Sequence, residues 1–185
     1  MLFEHVGDNR SGKTFLMALW GFFDQRGGKR VYANCRADSR FPGGFDCILN
    51  YPHWHYDPEK LLYMPELSRC TVLTDESLQI MDAYRSQAVE VREITYFGRQ
   101  ATKGNVDWHW DTVEHTDIAK RIRKSWHYQI RTTRIPRDPN KALIAIRVEW
   151  RSRYSNTWVR RYFANPRPFF GIYNDDATIR KRENA

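Results

Sequence analysis

Residues 7–14 read GDNRSGKT. A glycine, four residues, then Gly12, Lys13 and Thr14 complete the spacing G-x-x-x-x-G-K-[ST]. Backbone N–H groups of such a turn can point inward at phosphate oxygens, and a helix that starts there adds its positive N-terminal end. Lys13 would reach the β- and γ-phosphates, and Thr14 would offer its hydroxyl to Mg2+. Gly7, Asp8, Asn9, Arg10, Ser11, Gly12, Lys13, Thr14 and Phe15 are therefore the candidate nucleotide contacts. Further on, CTVLTDES at 70–77 is a short apolar run that ends in Asp75 and Glu76. An acidic pair at the carboxyl end of a buried strand suits the same chemistry. Asp75 would hold Mg2+ through its water shell, and Glu76 would orient or deprotonate an attacking water. The plainer alternative for the pair is an acidic helix N-terminus that complements the helix dipole.

These groups need elements to position them. Leu2, Phe3 and Val6 form a short apolar run before the loop, and Phe15, Leu16, Leu19, Trp20 and Phe23 repeat at helical spacing after it. Arg26, Gly27 and Gly28 stop that helix, and residues 31–34 (VYAN) suit a second strand. Residues 36–58 are rich in Pro, Gly, Asp and aromatics and read as irregular, with one short strand near 47–49. Residues 58–62 suit a short helix. Residues 70–74 suit a buried strand, and 77–99 lack Pro and lack Gly before Gly98, which predicts a largely helical stretch with a break near 85–87. Residues 106–111 (VDWHWD) predict another strand and 117–124 (DIAKRIRK) a short basic helix. Trp108 and Trp110 on that strand read as core residues rather than as platforms for bases.

Beyond residue 125 the pattern becomes strands alone. Trp126, Tyr128 and Ile130 alternate with polar residues, as do Ile144, Ile146, Val148 and Trp150, and 157–163 continues the theme. Pro136, Asp138, Pro139 and Asn140 make the turn between the first two strands. The expectation is an antiparallel meander whose outward faces carry Arg131, Arg147, Arg151 and Arg160. The fold class is α/β: a three-layer P-loop NTPase core with a mostly parallel sheet, followed by an antiparallel, β-rich C-terminal extension. The chain reads as one domain, with an α/β core over 1–125 and a basic part over 126–185.

The 185 residues suffice for a continuous core, and 41% hydrophobic with 15% aromatic content argues against disorder. No run of about 18 apolar residues predicts a membrane span. The phosphate loop occupies the place of a signal peptide, so an intracellular protein is expected. Cys35, Cys47 and Cys70 are odd in number and lack C-x-x-C spacing, which disfavours a disulfide framework or a zinc site. His53 and His55 flank Trp54 on an expected loop with no third ligand nearby, and no structural metal is assigned. Charge is unevenly spread. Residues 1–119 hold 13 Lys and Arg against 17 Asp and Glu, whereas 120–185 hold 17 against 5. A basic last third is the footprint of a polyanion-binding surface, with a merely solvated basic face as the alternative.

The order of parts resembles the viral branch of the FtsK/HerA ATPases, the genome-packaging motors of membrane-containing and archaeal viruses, together with the Zot-like phage proteins. VYAN is similar to a second strand ending in Asn, TVLTDES to the acidic strand, MDAYRS to a segment of Asp, small residue, Arg and Ser, and GRQATKGNVDW to the arginine, basic residue, glycine and strand that follow. DIAKRIR resembles a run ending Arg, aliphatic, Arg, and IYNDDATI a tyrosine-containing tail motif. The resemblance implies an ATP- and Mg2+-dependent motor that moves double-stranded DNA, forms a homo-oligomeric ring of five or six subunits, and works in the host cytoplasm with a capsid or portal-vertex protein. It also implies that Arg99 reaches the neighbouring subunit's nucleotide, with Arg85, Arg121 and Arg123 as substitutes. Where that family places a glutamine after the fourth strand, this chain has DTVEH with Val113 near the position, so either Asp111, Thr112 or Glu114 senses the γ-phosphate or the coupling differs. DNA contacts would fall to Arg121, Arg123, Lys124, Arg131, Arg147, Arg151, Arg160 and Arg161, mainly through phosphates. A Zot-like assembly or secretion ATPase is the alternative. A small-molecule phosphotransferase is less compatible, because a carboxylate that activates water, as Glu76 would, harms a kinase.

Overall fold

Leu2–Val6 (β1) is flanked on both edges by parallel neighbours, Asp107–Thr112 (β5) and Tyr128–Ile135 (β6). A strand in that position must be almost wholly buried, and its first four residues are. Arg30–Ala33 (β2), Trp54–His55 (β3) and Cys70–Thr74 (β4) extend the parallel part, while Ala145–Ser152 (β7) and Val159–Phe163 (β8) add antiparallel strands. The resulting eight-stranded sheet has the order β3-β2-β4-β5-β1-β6-β7-β8. This computed structural model describes residues 1–34, 49–56, 61, 64, 67–85, 87–135, 145–155, 157–163 and 166–172.

Helices cover both faces. Lys13–Arg26 (α1) places Phe15, Leu16 and Leu19 against Phe3, Ile130, Ile146 and Val148, and Met17 and Ala18 against Val31, Ala33 and Leu73. Each such large side chain contributes about 1.5–3 kcal/mol on burial. On the opposite face, Val89–Lys103 (α3) packs Val91, Ile94, Phe97 and Ala101 on Leu2, Val72, Trp108 and Trp110, joined by Ile122 of Lys120–Arg123 (α4). Both tryptophans of β5 are fully buried, and the Trp108 indole N–H donates to the Thr74 hydroxyl at 2.8 Å.

The sequence expectations need several corrections. The break expected in 77–99 near 85–87 is present and starts earlier, for Leu78–Met81 (α2) gives way to a bridge between Asp82 and Ile118 and a 3-10 turn at Ala83–Arg85 before α3 starts. Tertiary pairing captures the backbone there, since the Ala119 N–H donates to the Met81 carbonyl at 2.8 Å. Of the expected basic helix only Lys120–Arg123 is α-helical, preceded by a 3-10 turn at His115–Asp117 that is closed by a capping box between Glu114 and Asp117. Trp54 and His55 belong to an edge strand, not to a loop. The meander is antiparallel between β6, β7 and β8, but β6 itself runs parallel to β1, so the basic extension prolongs the core sheet. Cys70 is a buried thiol pushed up to about 11 by burial. Cys35, Cys47, the strand expected near 47–49 apart from Leu49, most of the helix expected at 58–62, and the turn at 136–140 lie outside the described residues.

Candidate functional site

The phosphate-loop residues lie where β1 ends, and backbone shape explains their types. Gly12 has φ +96°, and a Cβ there would stand 2.7 Å from Cδ1 of Ile146. Gly7 lies against β6: a Cβ on it would meet the Thr132 carbonyl at 2.6 Å and the Ser11 hydroxyl at 2.8 Å. Neighbouring strands hold the loop, as the Gly7 N–H donates to the Thr112 carbonyl of β5 at 3.3 Å and the hydroxyls of Ser11 and Thr132 are 2.9 Å apart. Gly12→Ala is therefore expected to destabilise the protein by about 2–4 kcal/mol in urea unfolding, combining backbone strain with overpacking. Adding Ile146→Val should recover part of that loss.

Lys13 is buried, and its ammonium donates to the Gly7 carbonyl at 2.6 Å and the Asp8 carbonyl at 3.0 Å. Burial lowers its pKa, against the opposing pull of Asp111, Asp75 and Asp8. Thr14 hydrogen-bonds the carboxylate of Asp75 through its hydroxyl. Asp8, Asn9 and Arg10 are exposed at the tip, with Arg10 at φ +61°. Phe15, the last residue of the expected contact set, turns its side chain into the core.

The acidic turn after β4 is clamped from both neighbouring strands. On the β2 side, the Asn34 side chain donates to the Asp75 carbonyl at 2.8 Å and accepts from the Asp75 N–H at 3.0 Å. On the β5 side, the Ser77 N–H donates to the Asp111 carboxylate at 3.2 Å, and the Ser77 hydroxyl donates to the Asp111 carbonyl. Between these anchors Glu76 adopts φ +49°, a left-handed conformation that costs a non-glycine residue about 1–2 kcal/mol. Its side chain is exposed while Asp75 is buried. Burial, followed by the neighbouring Asp111 charge, raises the Asp75 pKa well above the ordinary carboxylate range. Asp111 itself is pushed up to about 6, chiefly by burial.

Such a cluster can bind a polyanion and a hard cation together. Lys13 and the loop N–H groups supply positive potential, Thr14 and Asp75 supply oxygen ligands, and Glu76 is a carboxylate able to take a proton from water. Asn34, Ser77 and the Asp111 carboxylate are the members that sequence reasoning left without a position in this turn. The signal available for Asn34 was its place as the last residue of the predicted strand 31–34.

Beneath the loop, His5 Nε2 and His109 Nδ1 stand 3.0 Å apart, both rings fully buried. Burial pushes His5 down to about 3 and His109 well below its ordinary value, so the pair is neutral and shares one N–H between its facing nitrogens.

Other predicted residues lie elsewhere. Arg99 is exposed near the C-terminal end of α3, which leads back to the start of β5, while the phosphate loop adjoins Thr112 at the end of β5. The fold therefore separates Arg99 from the phosphate loop of its own chain. Val113 is 41% exposed just after β5, and Thr112 is buried with its hydroxyl on the Glu114 carbonyl at 2.8 Å. Arg121 and Lys124 are exposed and Arg123 is half-buried around α4. Arg131, Arg147, Arg151 and Arg160 share one face of β6, β7 and β8, whereas Arg161 projects from the other, with its guanidinium over Trp150 at 5.4 Å.

Comparison with solved structures identifies the fold. The N-terminal domain of zonular occludens toxin from Neisseria meningitidis superimposes with a TM-score of 0.65 at 13% identity, covering 94% of this chain and 98% of that one. The genome packaging NTPase B204 from Sulfolobus turreted icosahedral virus 2, in complex with ATP-gammaS, gives 0.60 at 13% identity over 86% and 95% of the two chains. The DNA-packaging ATPase B204 from Sulfolobus Turreted Icosahedral Virus gives 0.57 at 11% identity over 86% and 96%. No protein-family model matches the chain, and no curated protein matches it in sequence. At these identities the likeness establishes a P-loop NTPase fold: a mostly parallel sheet between helices, with antiparallel strands at its C-terminal edge.

Proposed function

We propose that this chain is an ATP-hydrolysing motor subunit of the FtsK/HerA type that moves double-stranded DNA, in the packaging of a viral genome into a capsid. The observation that carries the reading is the acidic turn, where Asp75, Glu76 and Ser77 are held by Asn34 and Asp111 beside Lys13 and Thr14. A phosphate loop alone serves many reactions. A rigidly presented, exposed carboxylate next to it suits activation of water.

Lys13 would leave the carbonyls of Gly7 and Asp8 for the β- and γ-phosphate oxygens, which are better acceptors for an ammonium. The residues fit Mg2+: the Thr14 hydroxyl and the Asp75 carboxylate are hard oxygen donors already in contact, and two crowded carboxylates, Asp75 and Asp111, lie beside the Lys13 charge. Bound there, Mg2+ would supply positive charge against the charge that builds on the γ-phosphoryl group. Glu76 would take the proton of the attacking water. Arg99 would complete the site of an adjoining subunit, a geometry supported by its distance along the fold from its own loop. A head-to-tail contact of this kind closes into a ring. The basic strands β6 to β8 would face DNA, and a capsid-vertex protein would be the docking partner. This reading places the work in the host cytoplasm.

Phosphate release from ATP, measured with and without duplex DNA across protein concentrations, tests the reading. Turnover should rise with both, and Arg99→Ala should abolish the concentration-dependent part while leaving nucleotide binding intact. Turnover indifferent to DNA and to dilution would sink it. The likeness to the zonular occludens toxin domain, with its higher TM-score and coverage, favours a second reading as a Zot-like phage assembly or secretion ATPase. That reading predicts concentration-dependent turnover without any response to DNA.

A further inference from the structure

We propose that the α3-side face of β6, β7 and β8 is a contact surface for the backbone of duplex DNA, with Trp158 as the residue that organises its arginines. The inference rests on the DNA-motor reading above and deepens it by assigning the surface. Cross-strand register sets the layout: Gln129 lies opposite Arg151, Arg131 opposite Glu149, and Glu149 opposite Arg160. The Arg131 and Arg151 guanidiniums each lie 4.8 Å from the Trp158 ring, and Arg151 is also 5.5 Å from Trp126. Stacking of this kind fixes long side chains before a ligand arrives, which lowers the ordering cost of binding.

The counter-charges lie beneath this layer. Glu149 is buried, with Arg160 at 2.9 Å and Arg147 at 3.9 Å. Arg151 donates through Nε to Gln129 at 3.0 Å, and Gln129 donates to the fully buried Glu4 of β1 at 2.7 Å. Glu4 also faces His115, whose Nδ1 is 2.8 Å from both carboxylate oxygens. Buried carboxylates thus hold the guanidinium layer from below, while Arg131 and Arg160 stay exposed above, the latter with 67% of its side chain accessible. A rigid surface with arginines on three adjacent strands matches a polymer of phosphates better than a single anion. The same network ties the surface to β1, the strand that carries the phosphate loop.

Binding of a labelled random-sequence duplex, followed by anisotropy between about 50 and 200 mM salt, tests the assignment. Arg131→Gln should flatten the slope of log affinity against log salt by about 0.9, the value of one lost phosphate contact. Trp158→Leu should weaken binding about tenfold with the slope unchanged, because the charges remain and only their ordering is lost. Arg134→Gln removes the same charge from the opposite face of the same strand and should bind as wild type does. Equal losses in Arg131→Gln and Arg134→Gln, an unaffected Trp158→Leu, or displacement of duplex by polyglutamate as readily as by unlabelled duplex would overturn the proposal. If wild-type turnover responds to DNA while Arg131→Gln and Trp158→Leu bind duplex normally, the surface is wrong and the motor reading stands. If wild type binds no duplex, both fall.

Discussion

Glu76→Gln is expected to cut ATP turnover by about 10²–10⁴-fold, the range lost with a general base, while nucleotide still binds. The substitution keeps shape and removes only the ability to take a proton. Its effect should therefore appear in kcat, with the affinity for a non-hydrolysable ATP analogue close to that of wild type. Backbone geometry sharpens the test. Glu76 is held at φ +49°, a conformation that glycine adopts without the cost a side chain imposes. Glu76→Gly should therefore be as stable as wild type or more stable by about 1 kcal/mol, yet as inactive as Glu76→Gln. Strain retained at a residue with an exposed side chain is expected where function demands the position. A Glu76→Gln protein that released phosphate at the wild-type rate would remove Glu76 from the mechanism and reopen the phosphotransferase reading.

The phosphate loop was legible in sequence because it is contiguous: the residues that shape it and the residues that work in it lie within eight positions. Asp75 and Glu76 were legible for a related reason, since an apolar run that ends in two acids has few other uses beside such a loop. The clamps on that turn were not. Asn34 and Asp111 lie 41 and 34 residues away from their partners, and only the strand order β2-β4-β5 brings them together. Strand phase set another limit. Alternation placed Arg131, Arg147, Arg151 and Arg160 on outward faces, and the register of β6, β7 and β8 puts these four on one face, whereas Arg161, also a candidate for DNA contact, goes to the other. The break expected near 85–87 had no Gly or Pro to fix its place, and a bridge from Asp82 to Ile118 moves its start to residue 82. The buried imidazoles were hidden as well, since His5 and His109 make contact only when β1 and β5 pair.

Asp111→Asn is expected to stabilise the protein at neutral pH. A carboxyl group with an unfolded pKa of 3.8 and a folded value of about 6 is harder to ionise in the fold, so at pH 7 the folded state bears the cost of a charge that the unfolded chain carries freely. The difference corresponds to about 3 kcal/mol, a figure that already contains the attraction to Lys13, so the variant is expected to gain up to about 3 kcal/mol. Asparagine retains an oxygen for the Ser77 N–H, so the turn keeps its clamp. The sign reverses for the histidines. Their folded pKa values are depressed, so their contribution is complete above the unfolded value of 6.5 and is lost as pH falls below it, for His5 toward about 3. Between about pH 6 and pH 4 the wild-type protein therefore has opposed terms: raised carboxyls favour the fold on acidification, and buried imidazoles disfavour it. Asp111→Asn removes one of the favourable terms and should lose about 1.4 kcal/mol per pH unit relative to wild type over the same window, so that its advantage at pH 7 vanishes near pH 4. Urea unfolding at several pH values reads both effects. A variant less stable than wild type at pH 7 would mean that Asp111 is held ionised by Lys13, and that the site is organised around their ion pair instead of around crowded carboxylates.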